Sequence, residues 1–247
     1  MKTIRLLLLS CIAGISLNSS AQLLDAAIPE NPFGLGVRVG VNTSNISNNY
    51  ADAIDGYDWT NTSWKTGFTA GVVADIKLRN YIAIQPGFFF QSRNMDYRNM
   101  VTERVDEGVT SMTSQDGHVR SYNFNIPIMV SLRLGLSSIL QARAELGPYF
   151  AFGLGGNNKC TSTSVGINGE LGTPETTEVD IYGDKGYMRG FDWGFKMGVG
   201  FVFAKSYYLG IHYMAGCRNV YKQPENVRHD LKGHNKAWDV TFGYTIF

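Results

Sequence analysis

Tyr122 to Leu134 reads YNFNIPIMVSLRL. Its even positions, Tyr122, Phe124, Ile126, Ile128, Val130, Leu132 and Leu134, are all apolar or aromatic, while Asn123, Asn125, Pro127, Met129, Ser131 and Arg133 between them are mostly polar. A period of two specifies an extended strand with one apolar face. The alternation outlasts the five or six residues, roughly, of an ordinary half-buried strand. With aromatics at one end, it suits a strand that meets lipid on one face and a packed lumen on the other.

The same design recurs on both sides of this stretch. Gly34–Thr43, Thr66–Ile76 and Tyr81–Gln91 precede it; Ile139–Phe152, Gly190–Phe203, Tyr207–Gly216 and Lys236–Phe247 follow. In the first, Leu35, Val37, Val39 and Val41 oppose Gly34, Gly36, Arg38, Gly40 and Asn42; in the sixth, Phe191, Trp193, Phe195, Met197, Val199, Phe201 and Phe203 oppose Asp192, Gly194, Lys196, Gly198, Gly200 and Val202. So much glycine on the polar face predicts a narrow lumen.

Connection lengths choose the architecture. Lys77–Asn80, Gly135–Ser138 and Ala204–Ser206 are short, and they alternate with four long polar stretches, Ser44–Lys65, Ser92–Arg120, Gly153–Arg189 and Cys217–Asn235. A soluble sandwich has no reason to gather its long loops at one end. A bacterial barrel has short turns at the periplasm and long loops outside the cell. The reading is therefore all-β: an eight-stranded antiparallel transmembrane β-barrel with short periplasmic turns and long extracellular loops. Phe88, Phe90, Tyr122, Phe124, Phe150, Phe152, Phe191 and Trp193 fall near the long-loop ends, and Tyr81, Phe203 and Tyr207 near the short turns. Two aromatic rings match two membrane interfaces. Pro86, Pro127 and Pro148 cannot donate to a ladder, and a closed barrel has no edge to hide them, so bulges or irregular pairing are expected there.

The first residues, MKTIRLLLLSCIAGISLNSSAQ, join Lys2 and Arg5 to an apolar run and then Ser19-Ser20-Ala21. This predicts a signal peptide over 1–21, cleaved after Ala21, followed by a periplasmic segment 22–33 and a barrel domain 34–247. Cys11 raises a lipoprotein signal, but the apolar region before it is too short. Without Lys2 and Arg5, the 22 basic residues fall to within one of the 21 acidic. No basic excess or charge run is left for nucleic acid. Of the three cysteines, Cys160 and Cys217 outlast processing, and they are open to a disulfide or to two free thiols.

The inward positions gather Arg38, Arg133, Arg143, Lys196 and His212 with Asp75, Glu145, Asp192 and Asp239. An eight-stranded barrel is just wide enough for its own side chains. These nine are read as a paired structural network, since bare charges there would be very costly; an ion or proton path is the sharper alternative. In the loops, His118, His229 and His234 lie near Ser121, Asp116 and Asp230. No nucleophile elbow frames them, and His229-Asp230 with His234 is a weak metal spacing. Sequons at Asn42, Asn45 and Asn61 read as exposed polar loop, and Gly153–Gly156 opens no helix and so no phosphate loop. No catalytic residue, metal or cofactor is expected.

The leader ending Ser-Ala-Gln, GLGVRVGVN, FNIPIMVSLRLG, ARAELGPYFAFGLGG, FDWGFKMGVGF and VTFGYTIF together resemble the PorT-like outer-membrane β-barrel family of Bacteroidetes. The resemblance implies a barrel in the bacterial outer membrane, surrounded by its lipid and inserted by the barrel-insertion machinery. Phe247 departs from the usual terminal pattern, being out of phase with Ile246, Tyr244 and Phe242. The expected role is non-enzymatic: structural, or binding a protein or small ligand through the extracellular loops. The family's founding member points to an alternative, an accessory part in type IX-like protein secretion. A lipid-modifying enzyme or a narrow channel are further alternatives.

Overall fold

The computed structural model describes residues 24–48, 62–106, 109–165, 170–222 and 232–246. The leader with its cleavage point, the tip of the first long connection, His229, Asp230 and Phe247 lie outside the described residues. Among the described residues nine strands form, β1 (Phe33–Asn48), β2 (Thr62–Arg79), β3 (Ile82–Asp106), β4 (Val109–Gly135), β5 (Leu140–Val165), β6 (Glu175–Asp180), β7 (Phe191–Phe203), β8 (Tyr207–Gly216) and β9 (Gly233–Ile246). Each neighbour in the order β4-β3-β2-β1-β9-β8-β7-β5 is antiparallel, and β4 pairs with β5 to close the ring. Eight strands therefore make the barrel. No described helix is long and apolar enough to cross a membrane, and the crossing is made by strands.

The alternation read from the sequence sorts the side chains by face. Leu35, Val37, Val39, Val41, Val130, Leu132, Val199 and Phe242 are exposed on the outer wall, while Arg38, Asn42, Ser131, Arg133, Tyr208 and Asp239 are buried inside. An exposed apolar wall of this extent is a lipid-facing surface. Phe68, Phe90, Tyr122, Phe124 and Phe88 touch in a chain around one rim, joined there by the pairs Phe152–Phe191 and Tyr213–Trp238. Tyr207 packs on Phe242 and Tyr244 near the other. At that end β7 and β8 are joined by a tight turn in which Ala204 and Lys205 take positive φ (47° and 66°), and the Ser206 amide donates to the Phe203 carbonyl at 3.2 Å. Both signs match a type I′ hairpin turn.

Glycine makes the small circumference possible. A Cβ at Gly40 would stand 2.0 Å from the Val240 carbonyl, and one at Gly147 2.0 Å from the Ile128 carbonyl. The strands bend onto each other where no side chain intervenes.

One expectation is corrected and another narrowed. The long connections are not simply loops: the β3–β4 ladder continues to the pair Asp106 and Val109, and β5 runs on to Val165, where β6 pairs with its Asn157–Ser162 segment. The upper parts of β3, β4 and β5 with β6 form a sheet standing beyond the aromatic rim. The reason is physical. Alternation of apolar and polar residues ends where lipid ends, but ladder hydrogen bonds need no apolar face in water. Pairing at the prolines is irregular, as expected, but no bulge forms there and the register does not shift. Pairing lapses between Pro86/Ile128 and Phe89/Asn125 and again between Pro127/Tyr149 and Val130/Leu146, with the same alignment resuming on both sides. A proline removes a donor without adding a residue. Gly87 leaves the room, since a Cβ there would lie 3.3 Å from the Pro127 ring.

Candidate functional site

The lumen is built in levels along the axis. All nine charged residues expected inside are buried, none more than 8% exposed. At the periplasmic end Arg133 is hydrogen-bonded to Asp75, which also accepts from the Gln85 amide at 3.1 Å. Arg143, opposite Arg133 in the β4–β5 register, donates from Nε to Gln141 at 2.9 Å.

Midway, Glu145 is the shared acceptor. Its Oε2 lies 2.6 Å from the Tyr208 hydroxyl and 2.7 Å from His212 Nε2, and its Oε1 3.9 Å from Arg38. The Arg38 guanidinium lies over the Tyr208 ring, 3.7 Å from its centroid. The contact joins charge to an apolar face that burial has stripped of water.

Higher up, Lys196 donates to Asp239 at 2.7 Å, and Gln91 bridges Asp239 and Thr69 with its amide nitrogen at 3.3 Å each. The Gln91 carbonyl accepts from Asn125 and Arg93, both at 3.2 Å. Near the outer mouth Asp192 lies 3.6 Å from Arg93 and accepts from Tyr149 at 3.1 Å and Asn235 at 2.9 Å. Arg93 was not expected here. Ending β3 at Gln91 hid it, although Gln85, Gly87, Phe89, Gln91 and Arg93 share one parity.

A buried apolar cluster lies at the outer mouth. Ile46, Met95 and Val119 from the barrel wall meet Ile181, Met188, Val220 and Tyr221 from the connections, all buried, with Tyr97, Tyr182 and Tyr187 packed against them. The Met188 amide donates to the Ile181 carbonyl within one connection at 2.9 Å, and the Arg189 amide to the Val220 carbonyl of the next at 2.8 Å, tying the two together. The GLGG segment finds its use here. A Cβ at Gly153 would overlap the Tyr182 ring at 2.5 Å, and one at Gly156 the Ile181 side chain at 2.7 Å. Tyr182 donates to Asn123 at 3.1 Å, and burial pushes its phenol above the ordinary tyrosine range.

The loop residues weighed for catalysis are separated. His118 faces outward and contacts Asp96 at 2.6 Å, with Lys65 on the same carboxylate at 2.7 Å. Partial burial raises the Asp96 pKa, but the bonds from Lys65 and His118 outweigh it and hold the group below its usual range. Ser121 is buried on the opposite parity and donates to the Arg93 carbonyl at 3.2 Å. His234 belongs to β9, opposite Ser47. No metal-holding group of three forms among the described residues. Cys160 and Cys217 are not bonded to each other in the structure. The Cys217 amide donates to the carbonyl of Trp193, whose β5 partner is Phe150; Cys160 lies ten positions farther up β5, opposite Thr177. At roughly 3.3 Å per residue that is far beyond the Cα separation a disulfide spans, roughly 5.5 Å.

A family model described as outer membrane protein beta-barrel domain matches residues 20–222. The chain belongs to that family. As a member of this outer-membrane barrel family it resides in the bacterial outer membrane, and only β9 falls past the matched residues. Solved structures similar to it include Ail, the attachment invasion locus protein of Yersinia pestis, at 12% identity, covering 87% of this chain and 100% of that one, with a TM-score of 0.38. Neisserial surface protein A is 11% identical, with 87% and 97% covered and a TM-score of 0.37. OprG of Pseudomonas aeruginosa is 10% identical, with 92% and 99% covered and a TM-score of 0.35. No curated protein matches.

Proposed function

We propose that the protein is a sealed, non-enzymatic outer-membrane barrel that holds an extracellular β-sheet off the membrane to bind a protein or small-ligand partner. The observation that carries this is the pairing of a stopped mouth with a raised sheet. The apolar cluster around Ile181 and Met188 blocks the axis, while β3 and β4 continue in register beyond it to Asp106 and Val109. A rigid scaffold presenting variable outer segments is a common way to place recognition. Export through a leader cleaved after Ala21, insertion by the barrel-insertion machinery, and kinship with PorT-like barrels of Bacteroidetes complete the proposal.

The hairpin can be shortened without disturbing the barrel, because Tyr97 and Gly117 are opposite each other. Joining them through an Asn-Gly turn gives a barrel lacking the outer hairpin. Crosslinking in intact envelopes, with wild type and shortened chain at equal folded level, tests the idea. Loss of the wild-type crosslinked partner on shortening is the expected outcome; an unchanged crosslinking pattern contradicts it.

A further inference from the structure

Counting charges level by level leaves one cation over. Among the described residues the lumen holds four buried carboxylates, and each has a permanent cation within 4 Å: Asp75 with Arg133, Glu145 with Arg38, Asp192 with Arg93, Asp239 with Lys196. Arg143 is the fifth cation. It is 4% exposed, has no ion pair among the described residues, and faces Arg133 across the β4–β5 register. Asp75 and Glu145 are the carboxylates whose charge reaches Arg143, and each already has a cation of its own, Arg133 and Arg38. A buried charge without a counterion is costly.

Arg143 is not sealed in, however. It lines a cavity of about 740 Å³ at the periplasmic end, together with Arg133, Lys77, Lys205 and the N-terminal segment Asp25–Asn31. The two carboxylates on its wall belong to that segment, Asp25 and Glu30. Asp25 is engaged, accepting from the Ala27 amide at 2.9 Å and from Asn80 at 2.7 Å. The volume lies in the range of small-molecule sites, roughly 300–1,000 Å³.

We infer that this periplasmic vestibule binds a small oxyanion, a phosphate or carboxylate, with Arg143 as its principal ligand and Lys205 at its rim. The planar guanidinium keeps its terminal N–H groups for a two-pronged contact, because Nε already serves Gln141. The same chemistry is carried by a phospholipid headgroup, but Arg143 faces the lumen with the barrel wall between it and lipid, so the occupant is a free ion from the periplasm. The site lies at the opposite end from the extracellular sheet and stands independently of the binding role proposed for it.

The test is urea unfolding of the full chain folded in a phosphate-free, lipid-free detergent, titrated with inorganic phosphate and, separately, citrate, each against chloride at matched ionic strength. A ligand of the folded state raises the midpoint in a saturable way. At least one of the two anions is expected to do so for wild type, with Arg143→Lys needing several-fold more anion and Arg143→Gln showing no saturable rise. A site that served only a lipid headgroup would respond to neither free anion and would respond when phospholipid is added; that outcome overturns the inference, as does an equal response in Arg143→Gln. Should Arg143→Gln fail to give the folded band on unboiled gels, Lys205→Asn decides. Asparagine tolerates the positive φ at that turn. Weaker anion dependence supports the site, and an unchanged curve overturns it.

Discussion

Glu145 shows how a single side chain can hold the middle of the lumen. Tyr208, His212 and Arg38 converge on its two oxygens from β8 and β1, so three strands are fastened at one level. Glu145→Gln removes the charge and leaves Arg38 buried without it. A loss of about 3 kcal/mol in unfolding free energy is expected, the usual scale for breaking a buried pair. Arg38→Gln combined with it is expected to recover part of that loss, and a double-mutant cycle of urea unfolding curves checks both. Asp96, on the outer sheet, gives a pH dependence. Its folded pKa lies below the unfolded value, so its stabilisation is present above the ordinary aspartate range, near 3.8, and is lost as pH falls through the folded value. Being partly exposed it contributes about 1 kcal/mol at most. The protection factors of the Asn94–Tyr97 amides, referred to intrinsic rates at each pH, are expected to fall in acid for wild type and to be insensitive to the same pH change in Asp96→Asn.

At the scale of elements, the wall and the extension obey different rules. Val199 is 52% exposed on the outer face of β7, midway along the strand. Val199→Arg is expected to lower unfolding free energy in bilayers by roughly 2–4 kcal/mol, the cost of a cation at mid-depth in lipid. Gly153→Val acts elsewhere: its side chain would displace the Tyr182 ring, and faster proteolysis of the 181–189 connection with the barrel intact is the expected result. These two sites also show what the sequence could reveal. Strict alternation such as Leu35–Val41 announces the lipid wall, and the same parity collects nine of the ten buried charged residues among those described, Arg93 being the exception. The extension was hidden because the outward apolar series stops at the rim: after Phe88 and Phe90 the same parity of β3 carries Ser92, Asn94 and Asp96. The apolar cluster was hidden for another reason. Ile181, Met188 and Val220 are isolated apolar residues in polar stretches, and only the tertiary path of the chain brings them to Met95 and Val119.

For the whole molecule, the eight-strand ring, the layered lumen and the apolar cluster support one proposal: the barrel is closed to passage from outside. Met214 lies inside it, 1% exposed and within reach of Asn125 and Gln91, whereas native Cys217 is exposed at the outer rim. The decisive measurement is labelling of intact cells with a membrane-impermeant maleimide. It compares wild type with a Cys160→Ser, Cys217→Ser chain carrying Met214→Cys. Labelling of Cys217 in wild type, with Met214→Cys silent until the folded band is boiled, is the expected result. Labelling of Met214→Cys on intact cells at the rate of Cys217 would contradict a sealed lumen.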